Sequence, residues 1–399
     1  KSYLAKEISA DIISNGSIKD YTQLKDDQKK QIEFVQFHPS YDYTDFVEGL
    51  RPKLNDDGSM GFELQDGIFK RFVSKAKKNF DDSQKSQEVI DKEVSVQEMI
   101  SEFFSNIEFG VDELETLRGT KFSITSIDDR HIIIAIPENN ISNKLSLNIN
   151  ELKEMLASGQ NFLQVKDITT FFKKSNASQQ YSYDLAIFNA IKSKKIKRTK
   201  NIAKQEKLKP YIFIIDEINR GEISKIFGEL FFSIDPGYRG QVGEVSTQYS
   251  NLHDNPEEKF FIPENVYIIG TMNDIDRSVD SFDFAMRRRF RFIEIKADER
   301  LEMLDSLGEK KDEAIQRMTA LNNEISKIEE LNENYHIGAS YFLKLKYLTF
   351  DKLWTDCLSP LLQDYIHGIY DEKVIMNKFA KVYGYEKLKA GDSNAENQN

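Results

Sequence analysis

Cysteine is nearly missing from this chain: one residue, Cys357, among 399. A single thiol excludes an intrachain disulfide framework and fits a reducing compartment, with Cys357 read as a small core residue. Long apolar runs are missing too. No stretch approaches the roughly 20 residues that a membrane span needs, and the first residues do not form a secretory signal, so a cytoplasmic chain without membrane contact is expected. A surplus of positive charge is also lacking: 55 Lys and Arg stand against 66 Asp and Glu, a net charge of −11. Gripping nucleic acid with the whole surface needs a clustered basic face, so contact with DNA is expected to be local or delegated. No nuclease constellation of the P-D…(D/E)-x-K kind is visible. What remains, 39% hydrophobic and 30% charged residues, is the composition of a folded, well-solvated protein with room for two or three domains.

The most informative run present is Tyr211-Ile212-Phe213-Ile214-Ile215-Asp216-Glu217-Ile218-Asn219-Arg220-Gly221. A strand this apolar has no wet face and belongs inside a parallel sheet covered on both sides. Its two acids then emerge at the carboxyl end, where ligands of open α/β sheets bind. This is the pattern of a Walker B strand: Asp216 placed to hold Mg²⁺ through its water shell, Glu217 to orient and polarise a water attacking a γ-phosphate. Taken alone, the run is equally a buried strand leaving through Asp-Glu into a turn. The chain begins Lys1-Ser2 ahead of an amphipathic helix, the way the phosphate loop G-x-x-x-x-G-K-[S/T] ends. The glycines are absent, so the pair is a remnant of that motif or an arbitrary start. On the first reading Lys1 reaches the β- and γ-phosphates, Ser2 ligates Mg²⁺, and the helix N-terminus supplies N–H groups and positive dipole.

A second apolar run, Asn265-Val266-Tyr267-Ile268-Ile269-Gly270-Thr271-Met272-Asn273, ends in a polar amide and is followed by Asp274-Ile275-Asp276-Arg277-Ser278. Then Ala285-Met286-Arg287-Arg288-Arg289 closes a helix before an alternating stretch, Phe290 to Ile295, that reads as a strand. Three arginines at a helix end suit guanidinium groups offered to a neighbouring protomer's phosphates. They equally suit a helix C-terminus complementing its own dipole.

Together these runs resemble the McrB-type motor subunits of modified-cytosine restriction systems, a branch of the AAA+ P-loop NTPases. The resemblance is carried by Phe37 to Pro52, Asp66-Gly67-Ile68-Phe69, Ile214 to Arg220, Tyr267 to Ser278, Ala285 to Phe290, and Ile337 to Phe342, in the family's order over residues 1 to 77 and 210 to about 370. It implies an α/β AAA+ fold with a central parallel sheet and a C-terminal helical lid. It implies Lys1, Ser2 and Asp216 as nucleotide and Mg²⁺ ligands and Glu217, Asn273 and Asp276 as catalytic residues, with Arg288 and Arg289 acting in trans across a homo-oligomeric, hexameric ring. It further implies GTP hydrolysis that powers a separate McrC-like nuclease, and recognition of DNA indirectly or through a domain upstream of Lys1. The family's M-N-T-A-D-R-S is here Met272-Asn273-Asp274-Ile275-Asp276-Arg277-Ser278. The added carboxylate leaves ATP open as the nucleotide, and with it an ATP-driven remodeller of protein complexes unrelated to restriction. A non-hydrolysing scaffold is disfavoured by the intact Asp216-Glu217 pair.

The expected organisation is a first core part at 1–77, an inserted α+β module and basic linker at 78–209, a second core part at 210–298, a helical lid at 299–389 and a disordered tail at 390–399. The insertion should begin with a helix and continue with a hairpin, Lys121 to Ile127 and His131 to Pro137, and three helices near 149–158, 167–174 and 180–194. It shows no metal spacing, nucleophile pair or glycine loop. Lys192 to Lys200, continued by Lys204, Lys207 and Lys209, is a local DNA candidate or a solvated linker. Tyr41, Tyr43 and Phe46 either face a central channel or pack on the sheet end. His336 is expected to be a hydrogen-bonded structural residue.

Overall fold

The computed structural model describes residues 1–54, 58–137, 143–174, 176, 178–193, 205–253, 255–273 and 284–385. Two compact units divide the chain, one made of Lys1–Ala76 with Pro210–Asn399, the other of Lys77–Lys209.

The first unit is organised around a three-stranded parallel sheet in the order β1 (Ile32–Gln36), β8 (Tyr211–Asp216), β9 (Val266–Gly270). The central strand is buried on both faces, as its unbroken apolar run requires: Ile212, Phe213, Ile214 and Ile215 are all inaccessible to solvent. Its side chains alternate between two layers. Ile212 and Ile214 meet Ala5, Ala10 and Ile13 of helix α1 (Ser2–Ile13) and Leu24. Phe213 and Ile215 meet an aromatic layer in which Phe46 stacks on Phe69 at 4.6 Å and Phe69 meets Phe213 edge-on at 5.0 Å. Phe69, Phe72, Val73 and Ala76 reach that layer from helix α2 (Ile68–Gln84). Each of these rings is worth about 3–5 kcal/mol against truncation to alanine. Gly67 precedes α2 because a Cβ there would lie 2.3 Å from the Phe46 carbonyl carbon. Tyr43 and Phe46 are buried in this layer and Tyr41 stacks on Phe37 at 4.9 Å, so the aromatic set packs on the sheet end.

Between β1 and α2 the chain makes an antiparallel hairpin, β2 (Glu48–Leu54) and β3 (Met60–Asp66), that sequence reading had passed over. Its alternation places Leu50, Pro52 and Leu54 opposite Leu64, Phe62 and Met60 on one face. Glu48, at its base, is fully buried and receives Lys70 Nζ at 2.5 Å and His253 Nε2 at 2.8 Å.

Residues 301–385 form a helical bundle, where the lid is expected, around Leu304, Met318, Leu321, Phe342, Trp354, Leu358, Phe379 and Tyr383. His336 meets Ser326 Oγ at 2.7 Å, a structural role. Arg300 joins the lid's first turn to α1 by pairing with Glu7 at 2.7 Å and with Glu302 at 2.5 Å. The stretch Phe290 to Ile295, read from its alternation as a strand, adopts no regular structure. A strand exists only by pairing, and none of the described strands pairs with it.

The second unit carries a four-stranded antiparallel sheet in the order β4 (Glu113–Glu115), β5 (Lys121–Ile127), β6 (His131–Ala135), β7 (Lys144–Asn148). The expected hairpin is its centre, and the two outer strands are additional. Helices α3 (Gln87–Ser105), α4 (Ile149–Ala157), α5 (Val165–Phe171) and α6 (Gln180–Ser193) complete a separate core that includes Phe103, Phe122, Ile134, Leu152, Phe162 and Phe188. Of the basic run, 194–204 lies outside the described residues, as do Asp274 to Ser278 and the tail.

Candidate functional site

The carboxyl ends of β8 and β9 and the first turn of α1 converge on one cluster. Parallel pairing in the register Ile215 to Gly270 puts the residues that follow each strand side by side. Thr271 N donates to Ile215 O at 2.9 Å and Ile218 N to Thr271 O at 2.9 Å, so the ladder continues past the strand ends.

Asp216 Oδ1 accepts from Ser2 Oγ at 2.5 Å and from Thr271 Oγ1 at 2.6 Å. A carboxylate and two hydroxyls sharing one point form a hard oxygen set of the kind Mg²⁺ takes while keeping several waters, so the residues fit that ion. No group of three or more His, Cys, Asp or Glu that could cage a metal by themselves occurs among the described residues. A cation here would need oxygens from a ligand or water beside these side chains.

Glu217 departs sharply from the strand. Its φ of 53° and ψ of 45° are left-handed, a conformation that costs a non-glycine residue about 1 kcal/mol or more and that recurs at functional sites. The kink turns its side chain across the strand ends to Asn273, whose Nδ2 donates to Glu217 Oε1 at 2.9 Å. On its other side Asn273 accepts from Lys1 Nζ through Oδ1 at 2.9 Å, and Lys1 Nζ also donates to Met272 O at 2.7 Å. The amide can stand only one way: an ammonium donates and a carboxylate accepts, so Oδ1 faces Lys1 and Nδ2 faces Glu217. The second oxygen of Glu217, Oε2, accepts from Arg220 Nε at 3.2 Å.

Lys1, Ser2, Asp216, Glu217 and Asn273 therefore form one connected network, although more than 200 residues separate its first two members from the rest. Thr271 and Arg220 belong to it and were not singled out from sequence. Thr271 carried a signal, being polar at the end of an apolar strand two positions before Asn273.

The arginine group splits. Arg288 is exposed. Arg289 turns inward: its guanidinium lies over the Phe231 ring at 4.1 Å and Nη1 donates to Ala285 O at 2.6 Å, with Nε buried and unbonded. Arg287 lies 5.6 Å from the Phe292 ring. Asp276 lies outside the described residues.

Comparison with known proteins finds both an AAA domain and a lid, the first match beginning inside the second unit. The family model described as AAA domain (dynein-related subfamily) matches residues 146–290, and that described as McrB, alpha-helical lid domain, matches residues 313–373. The Escherichia coli (strain K12) protein named Type IV methyl-directed restriction enzyme EcoKMcrB subunit is 45% identical over 148 residues, covering 35% of this chain and 32% of that protein. The Bacillus subtilis (strain 168) Type II restriction enzyme BsuMI component YdiS is 29% identical over 102 residues, 24% of this chain and 30% of that protein. The chain thus spans about a third of the length of each curated relative it matches. With a parallel-sheet AAA domain, a helical lid of the McrB class and this identity, the chain is similar to AAA+ proteins of the McrB type.

Proposed function

We propose that this chain is the nucleoside-triphosphate-hydrolysing motor of a restriction system, taking GTP in preference to ATP, assembling as a hexameric ring and driving a separate McrC-like endonuclease against modified DNA. The observation that carries the reading is the network Lys1–Asn273–Glu217 beside Ser2–Asp216, which gathers at one strand end each residue type that phosphoanhydride hydrolysis requires.

In this reading 1–77 and 210–298 are the AAA+ core and 299–389 the lid. Lys1 carries the compact positive charge for the β- and γ-phosphates. Ser2 and Asp216 hold Mg²⁺, which when bound supplies charge neutralisation on the phosphate oxygens. Glu217 orients and polarises the attacking water, its carboxylate already fixed at both oxygens. Asn273 stands between Lys1 and Glu217. A triphosphate that draws Lys1 Nζ away leaves Asn273 Oδ1 without that donor, so the amide links phosphate arrival to the position of the base. Arg288, exposed at the end of the Phe284–Arg287 helix, reaches a neighbouring protomer's phosphates, while Arg289 anchors that helix end on Phe231. Asp276 is assigned to the same catalytic set on the family's motif. DNA is contacted indirectly or by a domain outside this chain.

The test is steady-state hydrolysis of GTP and ATP side by side with Mg²⁺, using the full-length protein with and without the partner nuclease. GTP turnover stimulated by the partner is expected. ATP turnover indifferent to the partner transfers the reading to a general AAA+ remodeller, and absence of turnover on either nucleotide refutes the hydrolase assignment.

A further inference from the structure

We propose that Arg220 is a positioning residue for Glu217, fixing the base carboxylate from the side opposite Asn273; this deepens the hydrolase reading above and rests on it. The geometry is local and redundant. Ile218–Arg220 is a single 3₁₀ turn entered through the left-handed Glu217. Arg220 addresses Glu217 twice, its backbone N donating to Glu217 O at 2.9 Å and its side-chain Nε to Glu217 Oε2 at 3.2 Å. The same turn is stitched to the end of β9 by Asn219 Nδ2 donating to Asn273 O at 3.1 Å and Glu217 N to Thr271 Oγ1 at 3.4 Å.

Two donors therefore grip the two oxygens of one carboxylate, Asn273 on Oε1 and Arg220 on Oε2. Asn273 alone leaves the carboxylate free to rotate about its terminal torsion, which is broad for glutamate. Adding the Arg220 Nε–H on the second oxygen restrains the carboxylate plane, and the planar guanidinium gives that bond a direction where a lysine ammonium offers only a point charge. The arrangement also accounts for the backbone strain at Glu217. The left-handed residue lets the chain reverse within three residues, which brings the Arg220 side chain back over the acid that begins the turn. Glu217 is four-fifths buried at its side chain, whereas nearly half of the Arg220 side chain is exposed, so replacing the arginine removes the restraint and leaves the core intact.

The experiment compares Arg220→Ala and Arg220→Lys with wild type in the full-length protein, measuring kcat, KM, the Kd for a non-hydrolysable GTP analogue with Mg²⁺, and the melting midpoint. Expected for Arg220→Ala is a kcat lower by about 10- to 100-fold, the cost of a misplaced catalytic group, with KM, Kd and melting midpoint within about threefold or a few degrees of wild type. Arg220→Lys should recover part of kcat and none of the other quantities should move. A kcat for Arg220→Ala equal to or above wild type overturns the inference while leaving the hydrolase reading standing, as does a loss of kcat matched by an equal loss of nucleotide binding. A wild-type protein inert toward every triphosphate overturns both.

Discussion

Ser2 Oγ donates to Asp216 Oδ1 across 2.5 Å, joining the first turn of α1 to the end of the central strand. Thr271 Oγ1 donates to the same oxygen at 2.6 Å. Asp216→Asn replaces a charged oxygen acceptor with a neutral amide and removes the carboxylate that the proposed function assigns to Mg²⁺. Its Mg²⁺-dependent affinity for a fluorescent triphosphate should fall by about tenfold or more, an effect near 1.4 kcal/mol or above, while Mg²⁺-independent affinity changes little. Ser2→Ala should act in the same direction and more weakly. Equal Mg²⁺ dependence in Asp216→Asn and wild type would remove this residue from the metal site.

Glu217→Gln keeps the shape of the side chain and its bond from Asn273 but removes the carboxylate that the proposed function assigns as the base. Turnover should fall by about 10² to 10⁴, the usual contribution of a general base, with triphosphate binding retained. Asn273→Ala strips the donor from Glu217 Oε1 and frees Lys1 from an acceptor that a triphosphate has to displace, so it should lower turnover without lowering the apparent affinity for triphosphate. Single-turnover assays on both variants separate binding from chemistry, and wild-type turnover in Glu217→Gln would exclude it as the base.

How far the sequence revealed this site depends on which link in the network is asked about. Asp216, Glu217 and Asn273 stood out because each closes an apolar run too long for a half-wet strand, and such ends lie together in any parallel sheet. The bond from Lys1 to Asn273 spans 272 positions, and no local pattern encodes such a pairing. Thr271 was visible but unread, since a threonine after a β-strand is ordinarily just another β-branched residue. Arg220 sat inside the quoted run; only the left-handed turn at Glu217, which composition does not announce, brings it back onto the acid. The hairpin of β2 and β3 was hidden by Pro52 and by charges on its second face, and β4 and β7 by their brevity. Phe290 to Ile295 shows the reverse error, a good strand pattern without a described strand to pair with. The arginine triplet is alike in sequence, yet Arg289 turns to the Phe231 ring and Arg288 to solvent.

Beneath the hairpin, Glu48 is buried with Lys70 and His253 as donors, and Lys70 also pairs with Asp66 at 2.7 Å. Burial pushes Glu48 up, but the bonds led by that of Lys70 outweigh it and hold the carboxyl below its usual range. For Lys70 burial acts downward, and Asp66 and Glu48 outweigh it, leaving the ammonium above its usual value. A depressed acid stabilises above its unfolded pKa of about 4.3 and loses that contribution as pH falls through the folded value; a raised lysine stabilises below about 10.4 and loses it as pH rises through its folded value. Melting should therefore show this cluster's support as a plateau between about pH 5 and 10. Lys70→Met leaves Glu48 buried with its principal cation gone and should cost about 3–5 kcal/mol at pH 7. A variant melting within a degree of wild type at pH 7 would show that the cluster bears no such weight.

The second unit holds an acid with the opposite behaviour. Asp184, on α6, is almost wholly buried, and its Oδ1 has no hydrogen-bond partner among the described residues. Burial, with the nearby Glu151 carboxylate adding to it, pushes its pKa up to about 8. Glu151 is itself raised, first by burial, against the opposing charge of Lys174. The folded chain thus keeps a proton on Asp184 at neutral pH that the unfolded chain releases near pH 4. Where the folded state binds more protons, stability falls as pH rises. The loss should accumulate between about pH 4 and pH 8, by at most 1.4 kcal/mol per unit, and level off above. Asp184→Asn presents a neutral group of the same shape and carries no such cost. Hydrogen exchange of the α6 amides in the full chain should show the variant no better protected than wild type at pH 5 and more strongly protected at pH 8.5. The direction discriminates between two roles for the group: a carboxylate ionised in the fold by an ion or partner would make Asp184→Asn the less protected protein at pH 8.5, whereas a neutral buried acid makes it the more protected one.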